Sequence, residues 1–261
     1  MKWIMVLTLA AGSNIQAQTF PSYGAFLHAS ADEVQRRLNA KPLDLSRQID
    51  RTVRAIMDEL DQLSGTKTTV YWADGYGANA NPQAGIGLDR RELSSLSTND
   101  SFLDVVRLIL GHEQAHMYQF GYYSAGMDDP KRQRAIECQA DILGGLAFVG
   151  TIFRMKHPPQ LPDFKSMSDH LLNLSMKVGS PPWDDDQTRH PTVGQRARAT
   201  SLGMLSQIQI IDWQIYDRSH DPDVLKRIRD LEGRNADVYR PGEEIMVWSN
   251  RIAKQIVGYQ E

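Results

Sequence analysis

A chain of 261 residues, 41% hydrophobic and 23% charged, is long enough to bury the core of one large or two small domains. A net charge of -3, with only short basic clusters such as Arg36-Arg37, gives no basic footprint for nucleic acid. One cysteine, Cys138, leaves no intrachain disulfide, so the fold must hold by its core and by any metal it binds.

Met1-Lys2 is a minimal positive segment, Trp3 to Gly12 is a short apolar run, and Ile15-Gln16-Ala17 ends in a small residue. Residues 1–17 therefore read as a signal peptide, and the protein as exported, periplasmic or secreted. Read instead as an anchor, the run falls short of the ~20 residues a span needs. No other stretch reads as a span, so no stable membrane span is expected after cleavage.

Ser30 with Glu33 forms a capping-box pattern that opens a short helix to about Asn39. A second helix is expected from about Leu45 to Leu63, with Ile49, Val53, Ile56, Met57 and Leu60 on one face and Ser64-Gly65 as its stop. Thr68 to Trp72 is β-branched and aromatic and reads as a strand; Ala84 to Leu88 reads as a second, weakened by Gly85 and Gly87. From Asp100 the chain turns helical. Helices are expected from Asp100 or Ser101 to about Phe120, from Asp129-Pro130 to about Met155, and at about 164–178, 191–207, 222–231 and 243–257. The fold class is α+β, mostly helical, with a small β-sheet.

The helix ending near Phe120 contains His112, Glu113, Gln114, Ala115 and His116, an H-E-x-x-H pattern. Positions i and i+4 share a helix face, so His112 and His116 can aim two imidazoles at one point, as zinc requires. Glu113 lies about 100° around the helix, beside a metal rather than on it, where a carboxylate can take a proton from a water. On the next long helix Glu137 and Asp141 repeat the i, i+4 spacing. Glu137 can supply the third ligand that an open zinc site needs, and Asp141 can hold the far nitrogen of a ligating imidazole. The plainer alternatives are two histidines hydrogen-bonded in a core and an exposed acidic helix face. Ile136, Ala140, Ile142 and Leu143 make that face apolar, which strains the second.

H-E-x-x-H followed by E-x-x-x-D on the next helix resembles the gluzincin zinc metallopeptidases. The wording "GHEQAHMYQ" and "ECQADILGG" is most similar to their compact branch, which includes the CAAX-prenyl endopeptidases and the periplasmic quality-control peptidases. That branch also carries a His-Pro with a downstream Arg, matched here by His190-Pro191 and Arg196. The resemblance covers roughly residues 66–200. It implies a zincin-like fold with an H-E-x-x-H active-site helix, one zinc ion, and His112 as the imidazole that Asp141 orients. It also implies an edge strand for the substrate backbone, in the place of residues 79–88. The sequence departs from the branch in lacking the CAAX-type membrane helices, in Gln114 where an apolar residue is usual, and in a glycine-rich strand.

The activity implied is hydrolysis of peptide or protein substrates by a metal-activated water, with Glu113 as general base. His190 is the first candidate for stabilising the oxyanion, ahead of Tyr118, Tyr122 and Tyr123; Arg196 reads as a structural partner of a carboxylate. Cys138 should face away from the metal. Asp184-Asp185-Asp186 lacks calcium-loop spacing. The expected organisation is a signal peptide at 1–17, a peptidase domain at 18–208 and a helical extension packed on it at 209–261. A zinc-containing binding module without catalysis, and a metal-free helical protein, are the competing readings.

Overall fold

The structure is a computed structural model and describes residue 20 and residues 23–96, 102–122, 129–155 and 191–259. Residues 1–17, expected as a signal peptide, the helix expected at about 164–178, Asp184 to Asp186, Tyr123 and His190 lie outside the described residues.

The chain opens with α1 (Tyr23–His28) and α2 (Ala31–Arg37). The Ser30 hydroxyl accepts the backbone N–H of Glu33, the bond the capping pattern predicts. After the two-residue strand β1 (Lys41–Pro42) comes α3 (Gln48–Ser64), which buries Val53, Ile56, Met57 and Leu60 at helical spacing. Gly65 closes it in the left-handed conformation, donating its N–H to the Asp61 carbonyl.

Strands β2 (Val70–Trp72), β3 (Asn79–Asn81) and β4 (Gly85–Leu88) join β1 in a mixed sheet ordered β1-β2-β4-β3. β2 and β4 are parallel; the other two pairs are antiparallel. Strand periodicity sends Val70, Trp72, Ile86 and Leu88 against α3 and the helix that follows. It sends Tyr71, Ala73 and Ala84 toward a second cluster with Phe20, Phe26, Val34 and Leu38. β2 and β4 are thus covered by apolar side chains on both faces, which explains why they lack a polar alternation. β3 is the edge strand, yet Asn79, Ala80 and Asn81 are all buried, and the Asn81 amide donates to the Phe26 carbonyl. As it stands, that edge offers little free backbone to an incoming peptide.

A short helix, α4 (Arg90–Leu96), leads to the long helices α5 (Phe102–Tyr122), α6 (Pro130–Met155) and α7 (Val193–Ser219), then α8 (Pro222–Arg234) and α9 (Ile245–Val257). α6 packs on α5, α7 and α9 together. Two close approaches set these spacings. A Cβ on Gly144 of α6 would stand 3.0 Å from the His112 backbone nitrogen of α5, and one on Gly203 of α7 would overlap the Ile142 carbonyl of α6.

Two expectations need correction. The boundary drawn between residues 208 and 209 falls inside α7, which continues to Ser219. No proline or glycine interrupts residues 204–221, and three of the polar residues there, Ser206, Gln209 and Asp212, are buried: Gln209 bonds Glu232 and Asp212 pairs with Arg227 on α8. One stretch beyond the N-terminus, Arg132–Ile152 within α6, is in fact long and apolar enough to cross a membrane, though it is mostly buried in the protein core. A helix that is apolar on every side is what burial on every side demands.

Gly203→Ala should lower stability by about 1–3 kcal/mol, because the added methyl meets backbone that cannot move aside. Gly194→Ala, in open space on the first turn of the same helix, should be neutral or stabilising by up to ~1 kcal/mol. Thermal denaturation of both variants checks the helix contact against the propensity effect.

Candidate metal centre

From Val105 to His116 every residue of α5 is buried, so each polar side chain there needs a partner inside the protein. Gln114 donates to Asp61 at 3.2 Å and to Ser64 at 3.3 Å, across the C-terminal turn of α3. That contact accounts for an amide where the resembled branch has an apolar residue. Asp61 also accepts the Thr68 N–H and pairs with Arg54.

His112 and His116 face α6. Their Nε2 atoms lie 3.1 Å apart. The Glu137 carboxylate stands 3.2 Å from His112 Nε2 through one oxygen and 3.5 Å from His116 Nε2 through the other. A tetrahedral ion with bonds of ~2.0–2.1 Å has ligand–ligand edges of ~3.3–3.4 Å, so this triangle fits one. Among the described residues, His112, His116 and Glu137 form the group that could hold a metal ion.

The far side of each ring fixes its chemistry. Asp141 Oδ1 sits 2.9 Å from His112 Nδ1, and Gln119 Oε1 sits 2.7 Å from His116 Nδ1. Both oxygens accept, so both Nδ1 atoms carry protons and both Nε2 atoms turn toward Glu137. Asp141 is itself gripped by Arg196, whose Nε lies 2.9 Å from one oxygen and whose terminal nitrogen lies 2.7 Å from the other. Burial works against the Asp141 charge, but Arg196 and then His112 hold the carboxyl below its usual range. For His112, burial disfavours the cation, but Asp141, and then Glu137, outweigh it and raise the imidazole to about 10.

Glu113 is buried beside this cluster. Burial raises its proton affinity; His112 and His116 lower it, and Glu137 raises it again, for a net rise. Comparison with family models, with curated proteins and with solved structures finds no match to this chain.

Of the expected oxyanion donors, Tyr118 places its hydroxyl 3.4 Å from Thr66, and Tyr122 is exposed and bonds Glu244. Sequence reasoning missed Tyr71. Burial first and then the nearby Glu113 charge push its phenol well above the usual tyrosine range, so it stays a proton donor. It shares a row across the sheet with Gly87 and Asn79, and its hydroxyl donates to Asn79 Oδ1 at 3.4 Å. A Cβ at Gly87 would sit 2.8 Å from both side chains, so the glycine that weakens the strand makes the room they occupy. Gln119 was also missed; its spacing of three from His116 was the available signal. Cys138 is fully buried among Ile142, Trp248 and Ile252. His28 is exposed and His220 closes α7; neither joins the cluster.

Metal-free protein holds a proton on His112 from its unfolded value of ~6.5 up to about 10, and the stability this adds disappears as pH rises through about 10. A cation must displace that proton. Zinc binding between pH 7 and 8 should therefore release about one proton per site, measured by calorimetry in buffers of different ionisation enthalpy. Asp141→Asn should weaken metal binding by ~10–100-fold and also destabilise the metal-free fold, since it strips Arg196 of its counter-charge. Asp141→Asn with Arg196→Leu should recover part of that stability but none of the affinity, as a denaturant and chelator-competition cycle would read.

Proposed function

We propose that this chain is an exported zinc-dependent endopeptidase of gluzincin type, with a zincin-like fold. The observation that carries the reading is one buried point reached by two imidazole Nε2 atoms and a carboxylate, with a further carboxylate, Glu113, beside it and not among the three. A helical scaffold needs none of these groups, and a metal-binding module without catalysis has no use for Glu113. The export rests on the signal-like residues 1–17.

His112, His116 and Glu137 would hold the ion, and zinc suits two nitrogens and one oxygen at this spacing. When bound, zinc would supply Lewis acidity to the scissile carbonyl and to a water beside it. The protein's own part is proton handling. Glu113 takes a proton from the attacking water and passes it to the leaving amine, and its raised proton affinity moves it toward the pH at which that exchange is efficient. Arg196 and Asp141 keep His112 in one tautomer and orientation. Tyr71 takes the donor role that sequence reasoning gave first to His190, because its phenol is buried, protonated and within reach of the Glu113 charge.

Glu113→Gln keeps size and a hydrogen bond but cannot accept the proton. It should bind zinc with near-parent affinity and lose ~10²–10⁴-fold in hydrolysis of casein or a peptide library, activity that a chelator also removes from the parent. Parent-like cleavage by this variant would defeat the mechanism; zinc binding without any cleavage by the parent would favour the binding module. Tyr71→Phe should lower kcat on the order of 10²-fold at unchanged zinc affinity.

A further inference from the structure

We infer that α9 is a working part of the metal centre, coupled to His116 through a directional chain of buried amides. The inference rests on the metal-centre reading above. The chain begins at the Met246 carbonyl in the first turn of α9. Gln139 Nε2 donates to that carbonyl at 3.1 Å and to Ser249 Oγ at 2.9 Å. Ser249 uses its own proton on the same carbonyl, so toward Gln139 it accepts. Gln139 therefore presents its oxygen to Gln119, whose Nε2 lies 3.0 Å away. The Gln119 Nε2 also donates to the Ile136 carbonyl at 2.9 Å. Gln119 is then left with its oxygen facing His116 Nδ1 at 2.7 Å.

Each amide has one donating and one accepting end, and a backbone carbonyl can only accept. Two carbonyls, Met246 and Ile136, thus fix the direction of both amides. That direction forces the Nδ1–H form on His116 and turns its Nε2 lone pair to the ligand point. Gln119, Gln139 and Ser249 have no exposed surface, so water does not compete for these bonds. Gln119 and Gln139 are positioning residues. The C-terminal segment is on this account neither a lid nor an inhibitor, because its backbone completes the outer support of a ligand.

The test uses full-length protein in parent, Gln119→Leu, Gln119→Glu, Gln139→Leu and Gln139→Glu forms. Two readouts are taken: the imidazole nitrogen shifts of His116 in metal-free protein by NMR, and zinc affinity by chelator competition. Gln119→Leu should mix the His116 tautomers and weaken zinc by ~10–100-fold, while Gln119→Glu, which can still accept from Nδ1–H, should restore both. Gln139→Leu should shift both readouts the same way by a smaller factor. Gln139→Glu still accepts from Gln119 but cannot donate to the Met246 carbonyl, so it should shift both readouts as Gln139→Leu does; parent-like values in it would overturn the coupling to α9, which keeps the test alive if the leucine variant does not fold. A His116 that keeps one tautomer and parent affinity in Gln139→Leu would overturn the coupling to α9. If the parent itself binds no zinc, the metal reading fails, and the tautomer measurement alone then upholds or overturns the amide chain.

Discussion

Three lone-pair donors meet in the interior of this protein with no room between them for bulk water. His112 Nε2, His116 Nε2 and the Glu137 carboxylate lie 3.1–3.5 Å from one another, and the far nitrogen of each ring is committed to an acceptor. Acceptors that face one another at low dielectric repel unless a positive charge sits among them. In metal-free protein a proton on His112 meets that need, which is why the same imidazole is held charged to about 10. A divalent cation meets it with more charge and with bonds to all three. The three groups are thus able to hold a cation, and the surrounding structure keeps them from relaxing apart.

The constraint runs outward along two separate lines. His112 is held through Asp141 to Arg196 on α7, a buried ion pair whose two-point geometry compensates the cost of burying its charges. His116 is held through neutral amides to α9. One ring is thus oriented by charge and the other by dipoles. A second ion pair behind His116 would place still more charge in a site that already contains Glu113, Glu137, Asp141 and Arg196. Neutral amides add direction without adding charge.

Much of this was legible in the sequence because it is local. The i, i+4 spacing of His112 and His116, and again of Glu137 and Asp141, fixes which groups share a helix face, and helix periodicity follows from sequence alone. The long helices, the Ser30 cap and the β2 and β4 strands are legible for the same reason. What escaped depends on contacts between distant segments. Tyr71 meets the Glu113 charge only after β2 is laid beside α5, and its ring fits only because Gly87 on the next strand has no side chain. β1 and β3 have two and three residues, too few to show a period of two. α7 runs past the expected end near residue 207 because α8 supplies Glu232 and Arg227 as partners for Gln209 and Asp212, contacts that no local pattern announces.

α6 explains why apolar length alone misreads this chain. Leu146, Ile142 and Cys138 face α7 and α9, with Trp248 and Ile252 closing over them, while Phe148 and Val149 meet the core built on α3 and α5. Within five residues the same helix also carries Glu137, Gln139 and Asp141, all buried. They point three ways: to the two imidazoles, to the start of α9, and to His112 with Arg196. A helix surrounded by protein can satisfy three such groups because each neighbour contributes a partner, and it must be apolar elsewhere because each neighbour also removes it from water. Gly144 and Gly203 let the flanking helices come close enough for those short side chains to meet. The apolar run in α6 and the charged cluster it carries are therefore two results of one condition, burial on all sides.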